Sequence, residues 1–191
     1  MMNGKDTPKR KILVTGGAGY IGSHTVKELV KRGYDVTVLD NLSNGNMTSL
    51  DGVKYIEGDI GDYDKVNKLL QSEEIDAVIN FAALAYVGES VTNPRKYYDN
   101  NVVKGKAFLD AVVDSGVKKI VFSSSCATYG IPEKVPISED EKQRPVNPYG
   151  WTKLMFEQMM KDYDEAYGLR YISLRYFNAA GADADGSIGE M

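Results

Sequence analysis

Two stretches of the 191-residue chain carry side chains that could do chemistry together. Ser123-Ser124-Ser125 is a run of hydroxyls at the end of the apolar Lys119-Ile120-Val121-Phe122, and Tyr149-Gly150-Trp151-Thr152-Lys153 follows Asn147-Pro148. Four-residue spacing sets Tyr149 and Lys153 on one face of a helix. A free tyrosine titrates near pH 10, a poor base at neutrality, but a nearby cation favours the phenolate. A shift of about three units, or about 4 kcal/mol, would make Tyr149 an acid/base with Lys153 as its tuner. Such a pair is also common on helix surfaces, so its meaning depends on its company.

That company is Lys11-Ile12-Leu13-Val14-Thr15-Gly16-Gly17-Ala18-Gly19-Tyr20-Ile21-Gly22, an apolar strand that breaks into glycines and restarts as a helix. It fits G-x-G-x-x-G through Gly17, Gly19 and Gly22, and G-x-x-G-x-x-G through Gly16, Gly19 and Gly22. Either pattern describes a dinucleotide cradle. Gly16 and Gly17 are expected to turn the chain, Gly19 to admit a pyrophosphate to the backbone, and Gly22 to let the helix pack closely on the strand. N–H groups at the helix start would face the phosphates. A plain strand-to-helix turn needs glycines too, but Tyr34 to Asp40 runs apolar and β-branched to an acid 18 residues past Gly22. There a carboxylate meets the adenosine ribose hydroxyls. No Arg or Lys lies in Asn41 to Asn46 to receive a 2′-phosphate, which favours NAD over NADP. Its positive nicotinamide ring would add to the effect of Lys153 on Tyr149. Cradle, serine run and Tyr-x-x-x-Lys stand in the order a hydride-transfer enzyme needs.

The elements that must position these residues alternate, strand with helix, as in an α/β doubly wound parallel sheet, a Rossmann-like NAD-binding domain. Helices are expected over Tyr20 to Arg32, from Asp62 with Val66, Leu69 and Leu70 on one face, from Pro94 to about Ser115, and from Asn147-Pro148. Strands are expected at Val53 to Ile56, Ala77 to Phe81, Lys119 to Phe122 and Arg170 to Arg175. With 42% hydrophobic residues, the chain suits one domain over residues 11–191, after a loose polar tail from Met1 to Arg10 that lacks a signal-peptide core. A net charge of −4 without a basic run excludes nucleic acid and membrane surfaces as partners. Ala77 to Val87 is too short to span a bilayer. Cys126, the only cysteine, excludes an internal disulfide and suits a reducing cytoplasm. No metal is expected: His24 is a lone imidazole that reads as packing, and Glu139-Asp140-Glu141 reads as a solvated loop.

These motifs resemble the extended short-chain dehydrogenase/reductase family. Thr15 to Thr25, Asp40-Asn41-Leu42-Ser43-Asn44, Val87-Gly88-Glu89-Ser90, Tyr97 to Asn101 and Leu174-Arg175-Tyr176-Phe177-Asn178 are similar to its NAD-dependent UDP-sugar 4-epimerases, from Lys11 to the end of the chain. The resemblance implies UDP-glucose/UDP-galactose interconversion through a 4-keto sugar. Tyr149 would take the 4-hydroxyl proton as the C4 hydride moves to the cofactor, and Ser125 would hydrogen-bond the 4-oxygen and relay the proton. It assigns Gly16, Gly19, Tyr20, Ile21, Gly22, Asp40, Asn41, Asp59, Ile60, Phe81, Ala82, Ala83, Asn100, Tyr149, Lys153 and Phe177 to NAD, and Ser125, Tyr149 and Asn178 to the UDP-sugar. It also implies a homodimer through the helices after Pro94 and Pro148.

Two features depart from that pattern. Ala85 stands where many UDP-galactose epimerases carry a lysine, and with Cys126-Ala127-Thr128-Tyr129-Gly130 it resembles the UDP-arabinose/UDP-xylose branch. The family also continues into a segment that closes over the UDP-sugar, so the chain is expected to be a fragment carrying the cofactor part, with a non-catalytic NAD-binding module as the alternative. A 4,6-dehydratase would need an acid pair after Ser125, where Cys126-Ala127 stands.

Overall fold

The computed structural model describes residues 9–46, 50 and 52–190. Most of the expected N-terminal tail lies outside the described residues. Six strands form one parallel sheet: β1 (Lys11–Thr15), β2 (Asp35–Asp40), β3 (Lys54–Glu57), β4 (Ala77–Asn80), β5 (Lys119–Ser125) and β6 (Arg170–Tyr176), in the order β3-β2-β1-β4-β5-β6. This is the doubly wound arrangement of a Rossmann fold. The order reverses between β1 and β4, which opens a crevice at their carboxyl ends.

The helices are α1 (Tyr20–Lys31), α2 (Tyr63–Ser72), α3 (Val87–Thr92), α4 (Pro94–Tyr97), α5 (Lys104–Asp114) and α6 (Pro148–Tyr167). The expected starts and stops have physical counterparts. Asp62 accepts the Lys65 N–H at the start of α2, Asn147 accepts the Gly150 N–H at the start of α6, and Gly168 closes α6 at φ 70°. Phe108, Leu109, Phe156 and Met160 bury the α5 and α6 faces against Leu13, Val78, Ile120 and Phe122 of the sheet. On the other side Val26 of α1 covers Ile12, Val14, Val36 and Val38.

Three differences bear on the site. The helix expected from Pro94 to Ser115 is interrupted by a π-helical segment at Tyr98–Val103, which carries Asn100 and Asn101. Widened turns of this kind gather at functional sites. The serines expected beyond the fifth strand lie within it, because β6 continues alongside and pairs Ser123, Ser124 and Ser125 with Leu174, Arg175 and Tyr176. The short helix α3 was unexpected, since Val87–Thr92 offers neither length nor periodicity.

Candidate active site

At the reversal point, Gly16 leaves β1 at φ +70°, and a Cβ there would lie 2.6 Å from the Ala82 backbone nitrogen beyond β4. Gly17 does not turn the chain in this way; it is small because the Val38 side chain packs on it at 2.8 Å from an added Cβ. Both glycines lie in the turn, as expected, with Gly16 alone in the left-handed region. An added Cβ at Gly22 would overlap the Gly16 carbonyl, so the glycine fits α1 against the loop rather than the strand. Gly19 is different: an added Cβ would meet only the Gly16 oxygen, at an ordinary 3.4 Å. Among the described residues, nothing requires glycine there. Gly19 lines the groove and leads into α1, whose start no side chain caps and whose first turn holds no acid. The opening amides of Tyr20, Ile21 and Gly22 therefore suit an anion, and the bare Gly19 leaves it room to approach.

Asp40, buried at the end of β2, accepts the Ala18 N–H at 3.0 Å through one oxygen and the Leu42 N–H at 2.8 Å through the other. It ties the glycine loop while lining the groove. Each oxygen keeps a second lone pair for a hydroxyl. Asp59, which also lines the groove, accepts from Lys104 Nζ at 2.6 Å, from the Gly61 N–H at 2.8 Å and from Asn41 at 3.2 Å. Burial raises its pKa, but these bonds outweigh it, and the carboxyl lies below its ordinary range. Asn41, Ile60, Phe81, Ala82, Ala83 and Asn100 complete the sequence-expected part of the wall. Ser43, Asn44, Gly45, Gly58 and Leu84 line it as well, unforeseen. For the loop residues the signal was their place just past β2 and β3, where ligands of this fold lie.

Ile60, Ala82 and Ala83 are shared with a smaller cavity reaching Phe122, Thr152 and Lys153. The far end of the groove therefore abuts α6. Asn101 holds this wall: its amide oxygen accepts the Leu84 N–H at 2.9 Å, and its nitrogen donates to Leu84 O at 3.0 Å and Thr152 Oγ1 at 3.1 Å. Tyr149 is positioned by Ser90 of α3, whose Oγ accepts its N–H at 3.2 Å. Burial raises the Tyr149 phenol above its ordinary range, opposed by a hydrogen bond from Ser125. Lys153 donates to Ser123 O at 2.7 Å, and its Nζ lies 5.7 Å from the Tyr149 ring centroid. Burial pulls its ammonium down to about 7, against the pull of Glu157. In the chain by itself, the expected lowering of Tyr149 by Lys153 is not found: burial raises the phenol, and a charge from outside would have to bring it down. Phe177 and Asn178 stand apart from this groove, exposed beyond β6. His24 packs edge-on to Tyr20 at 5.4 Å between ring centroids.

Residues 12–190 match the model of the NAD dependent epimerase/dehydratase family. The chain belongs to that family. It is 57% identical to a UDP-glucose 4-epimerase of Lactobacillus helveticus over 94% of this chain and 55% of the relative. It is 44% identical to a putative UDP-arabinose 4-epimerase of Arabidopsis thaliana over 94% of this chain and 45% of that protein. The crystal structure of UDP-glucose 4-epimerase from Brucella ovis in complex with NAD matches with a TM-score of 0.94 at 52% identity, covering 95% of this chain and 56% of the other. The chain thus spans about half the length of these family members. Among its described residues, no helix is long and apolar enough to cross a membrane.

Proposed function

We propose that the chain carries the NAD site and the proton-transfer residues of a UDP-sugar 4-epimerase that interconverts UDP-glucose and UDP-galactose. The observation that carries this is the shared wall of Ile60, Ala82 and Ala83, which joins the glycine-lined groove to Lys153. A dinucleotide seated in the groove would have its pyrophosphate at Gly19 and the start of α1, its adenosine ribose at Asp40, its adenine at Asp59 and Ile60, and its far ribose at Lys153. NAD, when bound, supplies the hydride acceptor and a positive ring. Tyr149 takes the proton of the sugar 4-hydroxyl as a general base and returns it as a general acid, which requires the phenolate near neutral pH. Ser125 hydrogen-bonds the phenol and the 4-oxygen and carries the proton between them. Beyond β6, Phe177 serves the cofactor and Asn178 the side of the substrate diphosphate.

UDP-glucose and UDP-galactose are favoured by the relatives at about half identity or above. UDP-arabinose/UDP-xylose is the second reading, supported by Ala85 and by the Arabidopsis relative. A homodimer through the helices after Pro94 and Pro148 is part of the proposal, supported by the exposed Val103, Trp151 and Met155 there. Incubation with NAD and UDP-galactose, followed by NMR of the sugar anomeric signals, tests the function: UDP-glucose is expected. Conversion of UDP-arabinose with UDP-galactose untouched would move the assignment to the pentose branch, and no conversion with NAD bound would leave a binding module.

A further inference from the structure

The three serines of β5 each hold one residue of α6. The Ser123 carbonyl accepts from Lys153, the Ser124 hydroxyl donates to Glu157, and the Ser125 hydroxyl meets Tyr149. Tyr149, Lys153 and Glu157 follow at four-residue intervals on one buried face of α6. Two of the three belong to the proposed chemistry, and Glu157 does not. Its carboxylate is nonetheless the most elaborately held among the described residues. Arg175 of β6 donates to it through Nε at 3.1 Å and Nη2 at 2.8 Å, and Gln143 donates at 3.1 Å. Arg175 in turn donates to the Tyr129 hydroxyl at 2.8 Å and the Glu139 carbonyl at 3.2 Å. Burial raises the Glu157 carboxyl, but these donors outweigh it and keep it anionic at neutral pH.

A buried carboxylate is costly unless its neighbourhood needs the charge. Arg175 compensates it directly, and one turn away lies a second cation, the buried Lys153, whose one hydrogen bond among the described residues is to a neutral carbonyl. Around its ammonium are the Phe122 ring at 4.8 Å, the Tyr149 ring at 5.7 Å and Ser123 O, with the uncharged Asn80 and Asn101 lining the cavity beside it; Glu157 is the buried carboxylate one helical turn on. Arg175 and Tyr129 stand behind Glu157. We propose that Glu157 is a positioning residue of the active site: anchored by Arg175, Ser124 and Gln143, it supplies the buried negative charge against which Lys153 is held beside Tyr149. This rests on the reading of Lys153 and Tyr149 given above. Removing the charge would leave desolvation unopposed and release the Lys153 proton at lower pH.

The test follows the Lys153 side-chain carbon by NMR through a pH titration of lysine-labelled protein, the signal assigned by its loss in Lys153→Met. In Glu157→Gln the midpoint is expected to fall by about one pH unit or more. Glu157→Asp, which withdraws the charge by one methylene, is expected to give an intermediate midpoint, and it decides alone if the glutamine variant does not fold. An unmoved midpoint in a folded variant overturns the assignment. In turnover, the alkaline limb of kcat should move to lower pH in step with the titration, with KM unchanged; a limb that stays put also overturns it. A shifted midpoint in protein that binds NAD but never turns over would instead remove the functional reading and leave Glu157 as the support of Lys153.

Discussion

The cradle end of the groove is made of backbone, and the α6 end of buried side chains. At the cradle, Gly16, Gly17 and Gly22 are where the chain's own atoms leave no room for a Cβ, and Asp40 secures the loop through two N–H groups. What this end offers a ligand is mostly backbone: the uncapped amides at the start of α1, beside a carboxylate already tied into the loop. At α6, Tyr149, Lys153 and Glu157 are enclosed together, with Lys153 brought down to about 7. The first region is stabilised by the features that prepare it for a ligand. The second carries ionisable groups that a folded chain would do better without, as expected where groups are held for chemistry.

Tyr149→Phe should sharpen the contrast most. Turnover is expected to fall about 10³-fold, or about 4 kcal/mol in barrier height, with NAD affinity preserved in a calorimetric titration. Unchanged turnover would end the assignment of Tyr149. Gly16→Ala should act on the other region and in the other way, through the fold. Its side chain would enter both a positive-φ position and the backbone of Ala82, and a loss of about 3 kcal/mol is expected in urea unfolding. Full stability with weakened NAD binding would show instead that this glycine serves the ligand.

The cradle was legible because its logic is local: a strand, glycines at fixed spacing and an acid at the end of the next strand all lie within Lys11 to Asp40. Tyr149 and Lys153 were legible for the same reason, by helical spacing. Glu157 was not, since its role depends on Ser124 from β5, Gln143 from a loop and Arg175 from β6, which meet only in the folded chain. The π-helical turn at Tyr98–Val103 was hidden too: nothing in its residues distinguishes a wider turn from an ordinary one, and the tertiary bonds of Asn101 to Leu84 and Thr152 form only in the folded chain. Phe177 and Asn178 illustrate the reverse. Motif likeness singled them out, while the groove alone would not have done so.

Lys153→Met tests whether the α6 end is costly to the fold. A lysine lowered from 10.5 to about 7 binds its proton more weakly folded than unfolded, so its penalty is full at and below pH 7 and fades as pH rises toward 10.5. The NAD-free variant should therefore be more stable than the parent by about 2 kcal/mol at pH 7, with the gain shrinking at pH 9. A loss of stability at pH 7 would mean that the ammonium's bond to Ser123 O outweighs its burial. The smallest effect is expected at the cradle's edge, where the Tyr20 hydroxyl donates to the Gly181 carbonyl at 2.6 Å. Tyr20→Phe should cost about 1 kcal/mol, read from the shift in melting temperature.

The central claim is that the two ends receive one dinucleotide. It is tested most directly by labelling tyrosine ring carbons, assigning Tyr149 through its Phe variant, and titrating its phenol by NMR with ADP-ribose or with NAD bound. ADP-ribose should disturb the amides around Gly19 and Asp40 and leave Tyr149 at its raised pKa, whereas NAD should lower the Tyr149 midpoint toward neutrality. The same Tyr149 midpoint with both ligands would contradict the account.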